Sequence, residues 1–152
     1  MSHATEFLKD KSFISTVCVV TEQTQYLLRN YLETIDNALA SHFLHFEHIV
    51  VCNGETSPSF ALPERLHGEV SVVRLTHRYK TDYALRAGVD AAIGDYVMES
   101  PFPWMDYAPE AIIGAYRQLQ EGYDIVSVRP AGRESFSSLL FYKALSQQMV
   151  DF

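Results

Sequence analysis

Residues 13–20 read FISTVCVV and residues 48–52 read HIVVC, and these two runs decide the fold. Both are short, nearly continuous apolar runs rich in β-branched residues, a pattern typical of strands covered on both faces of a sheet. The segment between them predicts an amphipathic helix, because its apolar residues recur at helical spacing, at Leu28, Tyr31, Leu32, Ile35 and Leu39. Thr24 is available as the N-cap of this helix. The order strand, helix, strand indicates a parallel pair joined by a crossover helix.

The same alternation continues along the rest of the chain. Three more apolar runs predict strands, at residues 70–75, 96–99 and 124–128. Helices are predicted between these strands, and Ser135 is predicted to cap a last helix that runs towards Met149. The pattern predicts an α/β fold, a Rossmann-like three-layer sandwich with a mostly parallel sheet. Ligands bind such sheets beyond the carboxyl ends of the strands, which here are residues 21–24, 53–59, 76–82, 100–108 and 129–134.

The composition is that of one globular domain over residues 1–152, with residues 1–12 interpreted as a flexible N-terminus. Of the 152 residues, 47% are hydrophobic and 20% are charged, which excludes collagen-like and disordered chains. Twelve Lys and Arg against 19 Asp and Glu give a net charge of −7, which argues against a general nucleic-acid binder. Cys18 and Cys52 lie inside the two apolar runs, so we expect them to be reduced, buried and on neighbouring strands.

The chain shows no secretion signal and no membrane-spanning pattern. No basic segment followed by an apolar one opens it, and no apolar run approaches the roughly 18 residues of a spanning helix. We therefore expect a cytoplasmic protein without a transmembrane segment, with contact to the inner face of the membrane as an open alternative.

Several motifs along the chain carry a family resemblance. They are the residues Leu75, Tyr79, AL at 84–85 and AGV at 87–89, then AIGDYV at 92–97, PE at 109–110 and EGYDIV at 121–126. IVVCNGET at 49–56 precedes them, and Arg129, Arg133 and FY at 141–142 follow. In this order and spacing, over residues 13–145, the chain resembles a family 2 glycosyltransferase of the GT-A type. The branch that it resembles in particular moves sugars onto polyprenyl phosphates.

This resemblance implies a GT-A-like fold and a sugar-transfer function. The donor would be a nucleotide sugar and the acceptor a polyprenyl phosphate or a saccharide, in cell-envelope or surface polysaccharide synthesis. A non-catalytic binding or assembly subunit, which kept the fold and lost the site, is the alternative that the residues leave open. No catalytic residue is assigned, because relatives of this branch continue past the Phe-Tyr pair with the elements that usually supply the base. The chain is accordingly expected to be either naturally short or a fragment.

The resemblance places a nucleotide-sugar site at the carboxyl edge of the sheet. Its candidate residues are Thr21, Glu22, Asn53, Arg78, Lys80, Asp82, Arg129 and Arg133. Arg78 and Lys80 stand where the family has neutral residues, whereas Cys52 and Asn53 stand where it has acids. Guanidinium groups neutralise phosphate through bidentate hydrogen bonds, so donor binding is predicted to depend on arginine and lysine. The alternative is that Arg78 and Lys80 are ordinary solvated loop charges.

The metal-binding Asp-x-Asp motif of the family has no counterpart in this chain. Residues 101–103, which align with it, read PFP and offer no side-chain oxygen to Mg²⁺ or Mn²⁺. We therefore expect no metal cofactor, unless the flanking acids Glu99 and Asp106 form a non-standard site. Solvated acids are the favoured interpretation of these two residues.

Two further clusters have structural interpretations. The triplet His42, His45 and His48 has the rhythm of a metal site, but a helix gives way to a strand near His48, so a solvated linker is favoured. Trp104, with Phe102 and Met105, is predicted to plug the core, with contact to an acyl chain or a partner as the alternative.

The last predicted helix bears on the oligomeric state. Phe136, Leu139, Leu140 and Leu145 fall on or near one of its faces. Such an apolar face indicates a homo-oligomer or a partner subunit. The alternative is that this helix closes the core of its own chain.

Overall fold

The computed structural model describes residues 9–54, 62–130 and 139–144, which hold six strands and three α-helices. In chain order these are β1 (Asp10–Val20), α1 (Leu28–Ala40), β2 (Phe43–Cys52), β3 (Glu69–Arg74), α2 (Thr81–Ala91), β4 (Tyr96–Ser100), α3 (Glu110–Gln120), β5 (Ile125–Val128) and β6 (Leu139–Lys143). A short 3₁₀ turn, Gln25–Leu27, leads into α1.

The six strands form one sheet in the order β3-β2-β1-β4-β6-β5. The first four strands are parallel to one another, whereas β6 runs antiparallel to both of its neighbours. β5 therefore runs in the same direction as β4. α2 packs on one face of the sheet, and α1 and α3 pack on the other. The predicted α/β sandwich with a mostly parallel sheet is confirmed.

β1 lies in the middle of the sheet, and this position accounts for its unbroken apolar sequence. Val17 contacts the α2 layer, whereas Cys18 and Val20 belong to the core on the α1 side. Val20 is paired in register with Cys52 of β2, so the two cysteines lie on neighbouring strands as predicted. Both cysteines are free and buried, and burial raises the pKa of the Cys18 thiol far above its ordinary value.

Two strands begin earlier than the sequence predicts. β1 starts at Asp10, whose N–H donates to His42 O at 2.8 Å, so residues 10–12 are strand and not part of a flexible terminus. β2 starts at Phe43 and pairs with β1 from there on. Its first half has two consecutive exposed residues between buried Phe43 and Phe46, so the apolar run that predicted the strand marks only its second half.

α1 starts at Leu28, and Thr24 does not cap it. The Thr24 hydroxyl instead accepts the N–H of Thr21 at 3.0 Å and closes a tight turn after β1. The chain reaches the helix through the 3₁₀ turn. Within the residues that the structure describes, no helix is both long and apolar enough to cross a membrane.

The helix predicted from Ser135 to Met149 is wrong where the structure describes it, because Leu139–Lys143 form β6. Leu139 and Phe141 are fully buried between β4 and β5, and Phe136 and Leu145 lie outside the described residues. Of the side chains that were predicted to need a partner, Leu139 is buried in the core of its own chain and Leu140 is half-buried. The helical face from which self-association was predicted is therefore not formed by residues 139–143.

Candidate functional site

The carboxyl ends of β1 to β4 meet along one edge of the sheet, and β5 ends at the same edge. The described parts of all the loops predicted to bind ligands follow these strand ends. The edge runs from the loop after β3 at one end to the loop after β5 at the other. The candidate residues therefore share an edge, and their distances along it decide which of them can act together.

Asn53 joins two of these loops by a pair of hydrogen bonds. Its side-chain amide Nδ2 donates to Tyr79 O at 2.8 Å, and its Oδ1 accepts from Tyr79 N at 2.9 Å. Asn53 is 4% exposed, and its own N–H donates to Val20 O at 2.9 Å. The sequence predicts that Asn53 binds the donor, and the structure shows it holding the loop of residues 76–80 over the end of β2.

Gly54 allows this loop to lie close to the end of β2. Its φ is +93°, a conformation that favours glycine. A Cβ built on Gly54 would lie 3.2 Å from the Cβ of Arg78, so a larger residue would require Arg78 to shift by a few tenths of an ångström. Asn53 and Gly54 together fix where Arg78 and Lys80 project from the sheet edge.

The loop after β3 and the start of α2 form a basic surface on an acidic chain. Residues 74–86 contain four of the twelve Lys and Arg residues, and Asp82 is their only acid. Arg78 and Lys80 are exposed, and Asp82 lies in the first turn of α2. Beside them a groove of about 340 Å³ runs between the exposed rings of Tyr79 and Tyr83. These two tyrosines were not predicted as site residues.

The turn after β1 brings Thr21 and Glu22 to the same edge. The Thr21 O accepts from the N–H groups of Thr24 and Gln25, at 3.1 and 2.9 Å. The Glu22 side chain is exposed. β1 is the neighbour of β2, so this turn lies one strand spacing, about 5 Å, from Asn53.

Arg129 lies far from the basic loop. It follows β5, which is four strand spacings, about 19 Å, from β2. Arg133 lies outside the described residues. A single diphosphate is much shorter than this separation, so it would contact both the basic loop and Arg129 only if the side chains from both ends extended towards each other along the edge.

The two acids near the aligned Asp-x-Asp position, Glu99 and Asp106, differ in their surroundings. Glu99 is half-buried on the α2 face of β4, where burial, opposed by the nearby Tyr142 hydroxyl and aided by Asp82, raises the pKa of its carboxyl. Asp106 is exposed in the loop after β4. Within the described residues, no three His, Cys, Asp or Glu side chains lie close enough to hold a metal ion. The side chains of Pro101, Phe102 and Pro103 offer no oxygen to a cation.

The histidine triplet does not form a solvated linker, because His48 is fully buried in β2. Its Nε2 lies 2.9 Å from Asp36 Oδ1 of α1, and its Nδ1 lies 2.8 Å from the Thr16 hydroxyl of β1. A neutral imidazole that donates to Asp36 and accepts from Thr16 satisfies all three groups. Asp36 also accepts from His67 Nδ1 at 2.8 Å, so the carboxylate ties the helix to both strands and the loop before β3.

The buried contact between His48 and Asp36 predicts that the protein loses stability in acid. Burial lowers the pKa of His48 below its ordinary 6.5, against the opposing effect of Asp36. The unfolded chain then binds a proton on His48 at a higher pH than the folded chain does. The contribution of His48 to the free energy of unfolding is therefore fully present above about pH 6.5 and is lost as the pH falls below that value. Urea unfolding at pH 7.5, 6 and 5 measures this fall. His48→Gln, which does not titrate, should show a smaller fall, and an equal fall in both proteins would contradict the assignment.

The Asp36 carboxylate makes a second contribution to the dependence of stability on pH, at lower pH. Burial raises the pKa of its carboxyl, but hydrogen bonds from the backbone of His67 and Gly68 and from the His48 and His67 rings outweigh burial. The net pKa is below the ordinary 3.8, so this contribution is present above about pH 3.8 and is lost as the pH falls further.

Comparison with solved structures identifies the fold. The mannosyltransferase PcManGT from Pyrobaculum calidifontis, solved with GDP-Man and Mn²⁺, matches with a TM-score of 0.70 and 15% identity, over 91% of this chain and 47% of that chain. Residues 1–349 of TarS from S. aureus match with a TM-score of 0.60 and 14% identity, over 91% of this chain and 49% of that chain. The chain has a GT-A-type glycosyltransferase fold. It spans about half the length of these two proteins.

The structure of a synthetase also matches this chain. CMP:2-keto-3-deoxy-manno-octonic acid synthetase, solved with CTP, matches with a TM-score of 0.51 and 10% identity, over 92% of this chain and 78% of that chain. No protein-family model and no curated protein matches the sequence. The residues at the carboxyl edge of the sheet are therefore the main indication of function.

Proposed function

We propose that this chain binds a nucleotide-sugar donor and acts in the transfer of its sugar to a polyprenyl-phosphate or saccharide acceptor, in cell-envelope or surface polysaccharide synthesis. The observation that carries the proposal is the pair of hydrogen bonds between Asn53 and Tyr79, which fixes a basic loop at the carboxyl edge of the sheet. The GT-A-type fold supports it, as do the motifs that resemble the polyprenyl-phosphate branch of family 2. PcManGT, with a similar fold, was solved with GDP-Man.

The charges of the basic loop suit the diphosphate of such a donor. A diphosphate bound without a cation keeps its full negative charge, and only guanidinium or ammonium groups can offset it. Arg78 and Lys80 supply one of each at neighbouring positions of the anchored loop. The rings of Tyr79 and Tyr83, on either side of the adjacent groove, offer apolar faces to the base or ribose.

Calorimetric titration with a panel of UDP-, GDP- and CDP-linked sugars tests the proposal. We expect Arg78→Ala and Lys80→Ala each to weaken binding by about 1.5–3 kcal/mol, the range for hydrogen bonds to a charged group. Arg117→Ala is the matched control, since Arg117 is an exposed base in the last turn of α3, at the opposite edge of the sheet. Adding EDTA should change the affinity little, because no described cluster of acids fits a metal ion.

Two results would contradict this assignment. Binding that requires added Mn²⁺ and survives the loss of both bases would place the phosphates at a site formed by Glu99 and Asp106. Binding weakened by Arg129→Ala or Arg133→Ala, which the sequence also predicts as phosphate ligands, but not by Arg78→Ala, would move the donor to the β5 end of the edge. Absence of binding across the whole panel would favour the non-catalytic alternative.

A further inference from the structure

A second cavity, of about 360 Å³, opens between α1 and the loop of residues 101–109 at the end of β4. Its volume falls in the range of small-molecule sites. The polar residues Asn30 and Thr34 line it from the helix beside Leu27 and Tyr31, and the remaining lining residues, from the loop, are Pro103, Trp104, Met105, Tyr107 and Pro109. None of the described residues that line it carries a charge, so the cavity differs in kind from the basic groove beside Tyr79.

Trp104 presents a flat apolar surface at this cavity. Its ring stacks on that of Phe102, with centroids 3.8 Å apart and planes at 14°, so Phe102 covers one face and fixes the orientation. Trp104 is 39% exposed, which means that it is not the core plug predicted from the sequence. Only Met105 of this apolar cluster packs against the core on the α1 side.

The helix supplies polar groups across from this ring. Asn30 is exposed, and its amide can both donate and accept hydrogen bonds. The Thr34 hydroxyl donates to Asn30 O at 2.8 Å and keeps its lone pairs as acceptors. An uncharged cavity with an aromatic face on one side and paired donors and acceptors on the other matches the two surfaces of a sugar ring, its C–H face and its hydroxyls.

The Tyr107 hydroxyl lies on the inner side of this loop. Burial raises the pKa of Tyr107, against a smaller opposing effect of Ser100. The neighbouring Tyr31 hydroxyl donates to Ser100 Oγ at 2.7 Å, so both tyrosines approach Ser100 at the end of β4.

We infer that this cavity binds the ring of a neutral saccharide, with Trp104 against its C–H face and Asn30 and Thr34 on its hydroxyls. Its role as the acceptor site rests on the proposed function, whereas the binding itself does not. An alkyl chain would offer no hydrogen-bonding partner to Asn30 and Thr34.

Trp104 is the single tryptophan of the chain, so its fluorescence reports on this cavity directly. The probes are methyl glycosides of glucose, galactose, mannose, N-acetylglucosamine and N-acetylgalactosamine. At least one should shift the emission with a dissociation constant of roughly 1 mM, as expected for a ligand of this size. Asn30→Ala should weaken it about tenfold, while Asn37→Ala, an exposed asparagine two turns further along α1, should not.

Three results would overturn the inference. They are no change of emission up to about 50 mM of every glycoside, a response to uridine or guanosine but not to glycosides, and hexyl glycosides binding far more tightly than methyl glycosides whatever the sugar. Thermal unfolding of Asn30→Ala checks that a loss of binding is not a loss of folding. Because no nucleotide is present, these results are independent of the donor titration.

Discussion

Asp36→Ala is expected to lower the free energy of unfolding by about 2–6 kcal/mol, because it leaves two buried hydrogen-bond donors without an acceptor, each at a cost of about 1–3 kcal/mol. Asp36 is 2% exposed and accepts four hydrogen bonds of 2.8–3.0 Å, from His48, from Gly68 N and from both the backbone and the ring of His67. Truncation leaves the buried His48 ring and the Gly68 N–H without an acceptor. Urea unfolding at pH 7.5 measures the loss.

Asp90→Ala is the matched control for this prediction. Asp90 is also a helical aspartate with one ion pair, but its partner Arg86 lies 3.6 Å away and both side chains are more than two-thirds exposed. Its loss should cost about 0.5 kcal/mol or less. Similar losses in the two variants would show that the Asp36 contacts contribute no more than a surface pair.

The architecture could be predicted because the buried parallel strands are apolar without interruption. β1 and the second half of β2 are covered on both faces, so their position in the sheet is written in a short window of sequence. Cys18 and Cys52 could be placed on neighbouring strands for the same reason. The first half of β2 was missed because Leu44 and His45 are both exposed, so neither an apolar run nor a strict alternation marks this part of the strand.

β6 could not be predicted from its own residues. A five-residue apolar segment such as LLFYK is compatible with a helix or a strand, since both periodicities fit so short a run. What selects the strand is tertiary, because β4 and β5 run in the same direction and an antiparallel strand between them pairs with both. Burial of Leu139 and Phe141 then follows from the position of the strand.

The shared position of the candidate residues on the sheet could be predicted from the sequence, but not the hydrogen bonds between them. Loops at the carboxyl ends of parallel strands meet at one edge, so Asn53, Arg78 and Lys80 were predicted to share a region. That Asn53 uses its whole amide on Tyr79, 26 residues away, depends on a loop conformation without a local signal. The same holds for Asp36 and His48, whose pairing requires the helix to pack on the strand before either side chain has a partner.

The close packing of α2 on the sheet is what brings its N-terminal loop to the site, and Gly88 makes that packing possible. A Cβ at Gly88 would lie 2.3 Å from Val17 Cγ1 and 2.7 Å from Val51 Cγ2. Val17 and Val51 belong to central strands and are fully buried, so neither can retreat without moving its backbone. Overpacking of this kind costs about 1–3 kcal/mol, and we expect Gly88→Ala to reach the upper end of that range.

Gly114→Ala, the same substitution at an exposed position, is expected to raise the free energy of unfolding. Gly114 is exposed in α3, and a Cβ there would meet no atom within 4 Å, so the added methyl group should raise stability by about 0.5–1 kcal/mol through helix propensity. Urea unfolding of the two variants beside the parent chain measures both changes. If Gly88→Ala were as stable as the parent, α2 could move away from β1 and β2 at no cost. In that case the Asn53 hydrogen bonds alone would hold the position of the loop that carries Arg78 and Lys80. Gly88→Ala should then leave donor binding unchanged.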